Sequence, residues 1–377
     1  MNMEVKRNVL LNPGPSTTTD TVKLAQIVPD ICPREKEFQD IMAPMREDLV
    51  KIVHGRPEDY TAVLFCGSGT ICIDIALNSL LDKDKKALVI NNGSYSARAV
   101  EVCNAYGLPL IELKQPLDTT PDLALIEETL KNNSDIGYVY VTYHETGSGL
   151  LNPVKEIGAL AHKYGAFLIS DTTSAYAMIP IDVYEQNIDF CMASAQKGIQ
   201  GMTGLSYIVG RKDIIEASRN FPVRSYYCNL YMQYDFFERT GEMHFTPPVQ
   251  TVYAARQALI EYFEEGEERK WERHQRIMAA IRAGVDRLGF KEVLSRDVQS
   301  GLVSAIIYPD DPNWNFDKIH DYCYERGFTI YPGKLASRGT FRLCALGVID
   351  EPDIVDFWKV FEAGLKELGV KVPVNYD

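Results

Sequence analysis

Histidine and cysteine never occur in this sequence at the spacings that hold a metal ion. The six histidines (54, 144, 162, 244, 274, 320) form no HxH or HxxxH pair, and the eight cysteines form no CxxC or other ligand-spaced cluster. No metal is therefore assigned, and thiols scattered through apolar runs read as reduced and buried. No apolar run reaches the roughly 20 residues that a membrane-crossing helix needs. The start, MNMEVKRNVLLNPGP, offers too short an apolar stretch before Asn12 for a signal-peptide core. The expectation is a cytosolic protein with no membrane partner. Basic charge is also in deficit: 39 Lys and Arg against 52 Asp and Glu leave a net charge of -13. That argues against nucleic acid as a partner and leaves only local basic pockets. Neither a Walker loop nor a GxGxxG turn is present, which weighs against an NAD-type oxidoreductase.

What is present is a chain of 377 residues, more than one ordinary core accommodates, so a large domain and a smaller one are expected. An apolar share of 46% with 24% charged residues is that of a globular protein and excludes collagen-like, coiled-coil and disordered classes. From about 61 to 210, short apolar runs rich in β-branched and aromatic residues alternate with helix-period segments, the pattern of an α/β fold with a mostly parallel sheet. The runs are TAVLFC (61–66), ALVIN (87–91), GYVYVT (137–142), FLIS (167–170), IDFCMAS (188–194) and LSYIVG (205–210), giving six or seven strands. From Pro248 to Leu288 the sequence reads as long helix, with EEGEERKWERHQ (264–275) as a solvated face. Beyond it, LVSAIIY, a helix near 315–326, FTIY, TFRLC and a final helix to Leu368 form a second α+β unit. We divide the chain into an N-terminal segment 1–16, a large domain 17–263 and a small domain 264–377.

Chemistry concentrates at the ends of the strands. Asp171 closes FLIS and Lys197 follows IDFCMAS, so both face the crevice outside the carboxyl edge of a parallel sheet, where ligands sit. Pyridoxal phosphate needs both groups: an amine to carry it, and a carboxylate to keep its ring nitrogen protonated so that the ring serves as an electron sink. An aspartate there also caps helices, and a lysine in SAQKGIQG is also an ordinary loop residue. Ser68-Gly69-Thr70 at a helix start supplies amides, hydroxyls and the positive end of a helix dipole, which suits a phosphate and equally suits plain capping. Tyr95, in the next strand-to-helix turn, is placed to stack on a flat ring or to pack under a loop.

Together, Gly67-Ser68-Gly69-Thr70, Glu145-Thr146 in YHETGSGLLNP, Asp171 with TTSAY, and Ser194-Ala195-Gln196-Lys197 resemble the class V branch of fold-type I pyridoxal-phosphate enzymes. The resemblance runs nearly end to end, from LLNPGPSTT through NNGSYSAR and HFTPPVQT to IYPGKLASRGTFRLCALG, and within the class it is nearest to aminotransferases of aminophosphonates. It implies a large domain with a seven-stranded sheet, a smaller C-terminal α+β domain and pyridoxal 5′-phosphate as cofactor. It further implies that Lys197 carries the cofactor and moves the proton in catalysis, that Asp171 pairs with the ring nitrogen, and that Ser68, Gly69, Thr70 and Gln196 bind the phosphate. Thr246 of HFTPP would reach the phosphate from the other subunit of a homodimer with shared active sites. Thr146 would hold the ring hydroxyl, and Tyr95 and Thr173 would sandwich the ring. Arg342, with the loop containing Gly14, would hold the acidic end of the substrate, a task for a planar fork of donors.

The implied partners are a small amine and a keto acid, with 2-aminoethylphosphonate giving its amino group to pyruvate. The sequence departs from close relatives at 143–149, 171–177 and Gln196, so a related aminophosphonate, or an amino acid with glyoxylate or pyruvate as acceptor, stays open. A cysteine desulfurase is disfavoured because Tyr95 stands where those enzymes stack a histidine and neither Cys323 nor Cys344 lies in a loop. A non-catalytic descendant is disfavoured by the intact Lys197, Asp171 and Arg342. His144, beside the site strand, has no assigned role.

Overall fold

The structure is a computed structural model that describes residues 5–333, 335 and 338–376; Lys334, Ala336 and Ser337 of the motif IYPGKLASRGT lie outside the described residues. The main sheet has seven strands in the spatial order Tyr60–Cys66, Leu205–Arg211, Phe190–Ser194, Phe167–Asp171, Ile136–Thr142, Lys86–Asn91 and Leu110–Lys114. All neighbours are parallel except Leu205–Arg211, which runs antiparallel to both strands beside it. Central strands such as Phe190–Ser194 are buried on both faces, which is why they read as unbroken apolar runs. The seventh strand, Leu110–Lys114, escapes such a reading because it lies at the sheet edge, where its residues are only half-buried and include Glu112 and Lys114.

Two reversals at Leu205–Arg211 leave Tyr60–Cys66 pointing the same way as the parallel strands. Cys66, Asn91, Thr142, Asp171 and Ser194 therefore all end on one edge of the sheet. Helices leave that edge directly from Cys66 and Asn91, at Gly69–Ser79 and Ser94–Tyr106. The fold thus gathers side chains from turns far apart in sequence into one crevice.

The long helix read over 248–288 is in fact two, Val249–Glu265 and Glu267–Leu288. They break at Gly266, whose backbone (φ 81°, ψ 148°) lies in a region essentially closed to residues with a side chain. The charged stretch 264–275 is not simply a solvated face either: Lys270 and His274 are 2% and 0% exposed. The helix passes between elements, so its inward side is covered whatever its charge, and Lys270 Nζ reaches the carbonyl of Gly198 at 2.7 Å.

A second core collects Ile277, Ile281 and Val285 with Phe341, Phe357 and Phe361. It sits on a three-stranded antiparallel sheet of Val303–Ile307, Thr340–Cys344 and Tyr331–Pro332. Val9 and Leu11 belong to this core, because Val9–Leu10 pairs in parallel with Phe328–Thr329. Val303 and Cys344 instead pack into the large core, so the strand that carries Arg342 lies where the two cores meet. Among the described residues no helix is long and apolar enough to cross a membrane.

Candidate active site

Nine of the residues singled out in the sequence line a single pocket of about 210 Å³: Gly14, Ser68, Gly69, Thr70, Tyr95, Asp171, Thr173, Gln196 and Lys197. The N-terminal segment forms one wall, since Ser16 donates its amide to the carbonyl of Gln196 at 2.9 Å and so lies across the turn that bears the lysine. Lys197 Nζ donates to the carbonyl of Pro13. Gly14 has a positive φ of 121°, and a Cβ there would stand 2.5 Å from Lys197 Nζ, so only glycine leaves room for the amine.

Burial governs the electrostatics. It lowers the pKa of Lys197, with the charge of Arg342 acting weakly in the same direction, and this favours the neutral, nucleophilic amine. Burial raises the pKa of Asp171, partly offset by the Thr173 amide, which donates to Oδ1 at 2.9 Å. Tyr140, not anticipated from the sequence, backs the other oxygen, its hydroxyl 3.4 Å from Oδ2. A carboxylate held this way gains from a cationic partner within the pocket.

At the opposite end, Gly69–Ser79 opens with no acidic residue in its first turn, and Ser68 makes no capping bond with its side chain. The first amides of a helix lack intrahelical acceptors, so they and the Ser68 hydroxyl are available to an anion. Ser194 Oγ and Gln196 Oε1 are buried without a hydrogen-bond partner among the described residues, and both residues line the same pocket. An amine, a buried carboxylate, a ring-sized aromatic wall and a helix start fit a flat, phosphate-bearing aldehyde such as pyridoxal phosphate.

The remaining three predicted residues do not line the pocket. Thr146 and Arg342 are joined to each other: Arg342 Nη1 donates to the Thr146 carbonyl at 3.1 Å, while Nε and Nη2 donate to the Pro332 carbonyl at 3.2 and 2.9 Å, and the charge of Arg342 acts on Lys197. Three of the five guanidinium donors are thereby used, leaving one on each terminal nitrogen, the geometry that accepts a bidentate anion. Arg342 is fully buried, and no carboxylate pairs with it among the described residues. Such a cation is costly without a counter-ion, and an acidic substrate is the counter-ion that would relieve it. Thr246 is exposed and stands outside the pocket of its own chain.

The tripeptide His144-Glu145-Thr146 binds the walls together. His144 Nδ1 lies 2.8 Å from the Ser174 carbonyl and Nε2 2.8 Å from Ser300 Oγ, so the ring links the turn after Asp171 to the segment at 300. Glu145 accepts the amides of Tyr95 at 3.1 Å, Ser96 at 3.5 Å and Gly147 at 3.3 Å, capping Ser94–Tyr106 from a distant part of the chain. Gly93 is required beneath it, because a Cβ there would lie 2.2 Å from the Glu145 carboxyl carbon. His144 has no role legible in the sequence because its partners are 30 and 156 residues away.

Arg98, Thr203 and Ser194 line the pocket without having been anticipated as ligands. A larger groove of about 410 Å³ lies elsewhere, beside Asp59, His162, Asp189 and Arg211. Its one deeply buried carboxylate, Asp189, is already satisfied by His162 at 2.6 Å, Arg211 at 3.0 Å and the Leu168 amide at 2.7 Å. Volume alone does not make that groove a reaction site.

Comparison with known proteins follows the same lines. A family model described as aminotransferase class-V matches residues 25–331. A 2-aminoethylphosphonate–pyruvate transaminase of Cupriavidus necator is 34% identical over 365 residues, which is 97% of this chain and 96% of the relative. A bifunctional phosphonoacetaldehyde hydrolase/aminoethylphosphonate transaminase of Clostridioides difficile is 33% identical over 356 residues, or 94% of this chain, and the chain spans 56% of that relative's length. Among solved structures, the ureidoglycine-glyoxylate aminotransferase of Bacillus subtilis has a TM-score of 0.89, covering 99% of this chain and 96% of its own at 20% identity, a likeness of fold.

Proposed function

The chain belongs to the class-V aminotransferases, fold-type I enzymes that use pyridoxal 5′-phosphate, and from that premise we propose that it transfers the amino group of 2-aminoethylphosphonate to pyruvate, a step of phosphonate catabolism. The products are phosphonoacetaldehyde and L-alanine. The observation that carries the reading is the pocket that gathers Lys197, Asp171 and the Ser68–Thr70 helix start, with the charge of the buried Arg342, which has no carboxylate partner among the described residues, acting on Lys197.

When bound, the cofactor supplies an electron sink for the carbon that loses its proton. Each other task falls to a side chain. Lys197 Nζ, its pKa lowered by burial, would hold the cofactor and move the proton from the carbon bearing the amino group of the donor. Asp171 would pair with the ring nitrogen and keep it charged, and Tyr95 and Thr173 would flank the ring. Ser68, Gly69, Thr70 and Gln196 would hold the phosphate, and Thr146 the ring hydroxyl. Arg342, with the Gly14 loop, takes the phosphonate of the donor and then the carboxylate of the acceptor, two acids that one fork of donors accommodates in turn.

The domain boundaries near 16 and 263 are carried in this reading, as is a homodimer. The support for the dimer is Thr246, exposed on its own chain and set in the HFTPP motif. A cytosolic location suits eight cysteines that are all unpaired. The departures at 143–149 and 171–177 favour one second reading, a related aminophosphonate or an amino acid donor with pyruvate or glyoxylate.

Substitution R342Q tests the assignment. It removes the charge and keeps much of the volume, so kcat/KM for 2-aminoethylphosphonate should fall by about 100-fold or more, since each charge-assisted hydrogen bond lost is worth about 10-fold or more. An unchanged value would remove the acid-binding role, and a wild-type preference for an amino acid donor would shift the proposal to the second reading.

A further inference from the structure

Arg98 lies one turn into the helix Ser94–Tyr106 and faces the start of another helix, 28 residues earlier in the chain. Its Nη1 donates to Thr70 Oγ1 at 2.9 Å, and its guanidinium carbon stands 5.1 Å from the centre of the Tyr95 ring. It is half-buried and has no carboxylate partner among the described residues. Arg98 and Lys197 are the two basic residues that line the pocket.

The chemistry of the contact is directional. A guanidinium has donors and no acceptor, so Thr70 Oγ must accept, and the hydroxyl proton of Thr70 is then free to point to a further acceptor. Charge balance points the same way. A helix start presents about half a positive charge, whereas a phosphate monoester carries about 1.5 to 2 negative charges near neutrality, so the helix alone leaves about 1 to 1.5 charges uncompensated. Lys197 is committed to the ring end beside Asp171. The whole chain, at -13, adds a field that disfavours an anion.

We infer that Arg98 is the cation of the phosphate end of the pocket: it aims the Thr70 hydroxyl and neutralises the phosphate of the bound cofactor, while its stacking on Tyr95 fixes the guanidinium in place. This rests on the reading that the pocket takes pyridoxal phosphate.

The test compares pyridoxal 5′-phosphate with pyridoxal, which lacks only the phosphate, by titrating the cofactor-free protein and following tryptophan fluorescence. In R98M the affinity for pyridoxal phosphate should fall by about 10- to 100-fold, as expected for a lost charge-assisted contact. Affinity for pyridoxal should stay within about twofold, which also reports that the pocket is intact, and R98K should recover part of the loss. Unchanged affinity for pyridoxal phosphate in R98M would overturn the inference. So would an equal fall for both ligands, which would make Arg98 a prop for Tyr95. A wild-type protein that binds both ligands equally would remove the phosphate site and this role with it, and one that binds neither would remove the cofactor reading itself.

Discussion

His144 and Glu145 are neighbours in the chain whose burial pushes their protonation in opposite directions. Burial lowers the imidazole of His144 to about 4 and raises the carboxyl of Glu145 to about 7. A histidine that must stay neutral when folded charges more readily once unfolded, so its contribution is intact above its ordinary value and is lost as pH falls toward 4. Glu145 has the reverse sign: the folded state holds the proton longer, so stability declines as pH rises from the ordinary carboxylate range toward 7. The two partly cancel in the wild type, and removing one exposes the other. Replacing His144 with Asn should remove a loss of about 2 kcal/mol between pH 7 and pH 5, read as the difference between wild-type and variant denaturant unfolding curves at the two pH values. Parallel curves would mean that the ring is not held neutral between Ser174 and Ser300. Arg98 and Arg342 belong to this scale too, since neither has a carboxylate partner among the described residues.

Strands and their ends are the elements that the sequence exposes best, because burial on both faces forces unbroken apolar runs and function sits where those runs stop. Asp171 and Lys197 are legible for that reason: each follows such a run at once or within a few residues. The edge strand Leu110–Lys114 is not, as its half-buried residues lack the run. Helices conceal more. An arginine on a helix is ordinary, and only the approach of Ser94–Tyr106 to Gly69–Ser79 brings Arg98 onto Thr70. Lys270 and His274 read as solvent-facing within a charged stretch because nothing local reveals that their helix is covered on that side. The break at Gly266 was visible as a glycine between acidic pairs, yet the helical period continues on both sides, so a single helix was the simpler reading. Thr146 and Arg342 were named by the resemblance alone, and the structure joins them to each other although neither is in the pocket lining.

At the scale of the whole molecule, one chain supplies most of a site and leaves Thr246 facing outward. If that threonine completes a phosphate site in a second chain, sedimentation of the active protein should give twice the 42.5 kDa chain mass, and a 42.5 kDa species with full turnover would contradict the shared site. Two cores meet beside Arg342, so the residue proposed to hold the acid is tied both to the strand Thr340–Cys344 and, through Thr146, to the segment that follows the sheet strand Ile136–Thr142. If this site takes nitrogen from an aminophosphonate, the absorbance of the protein reports it. The purified protein should show the visible band of a lysine-bound cofactor. That band should fade when 2-aminoethylphosphonate is added without any keto acid and return when pyruvate follows, and K197A should lack it. A band that 2-aminoethylphosphonate leaves unmoved would contradict the proposed donor, and no band after added pyridoxal phosphate would contradict the whole account.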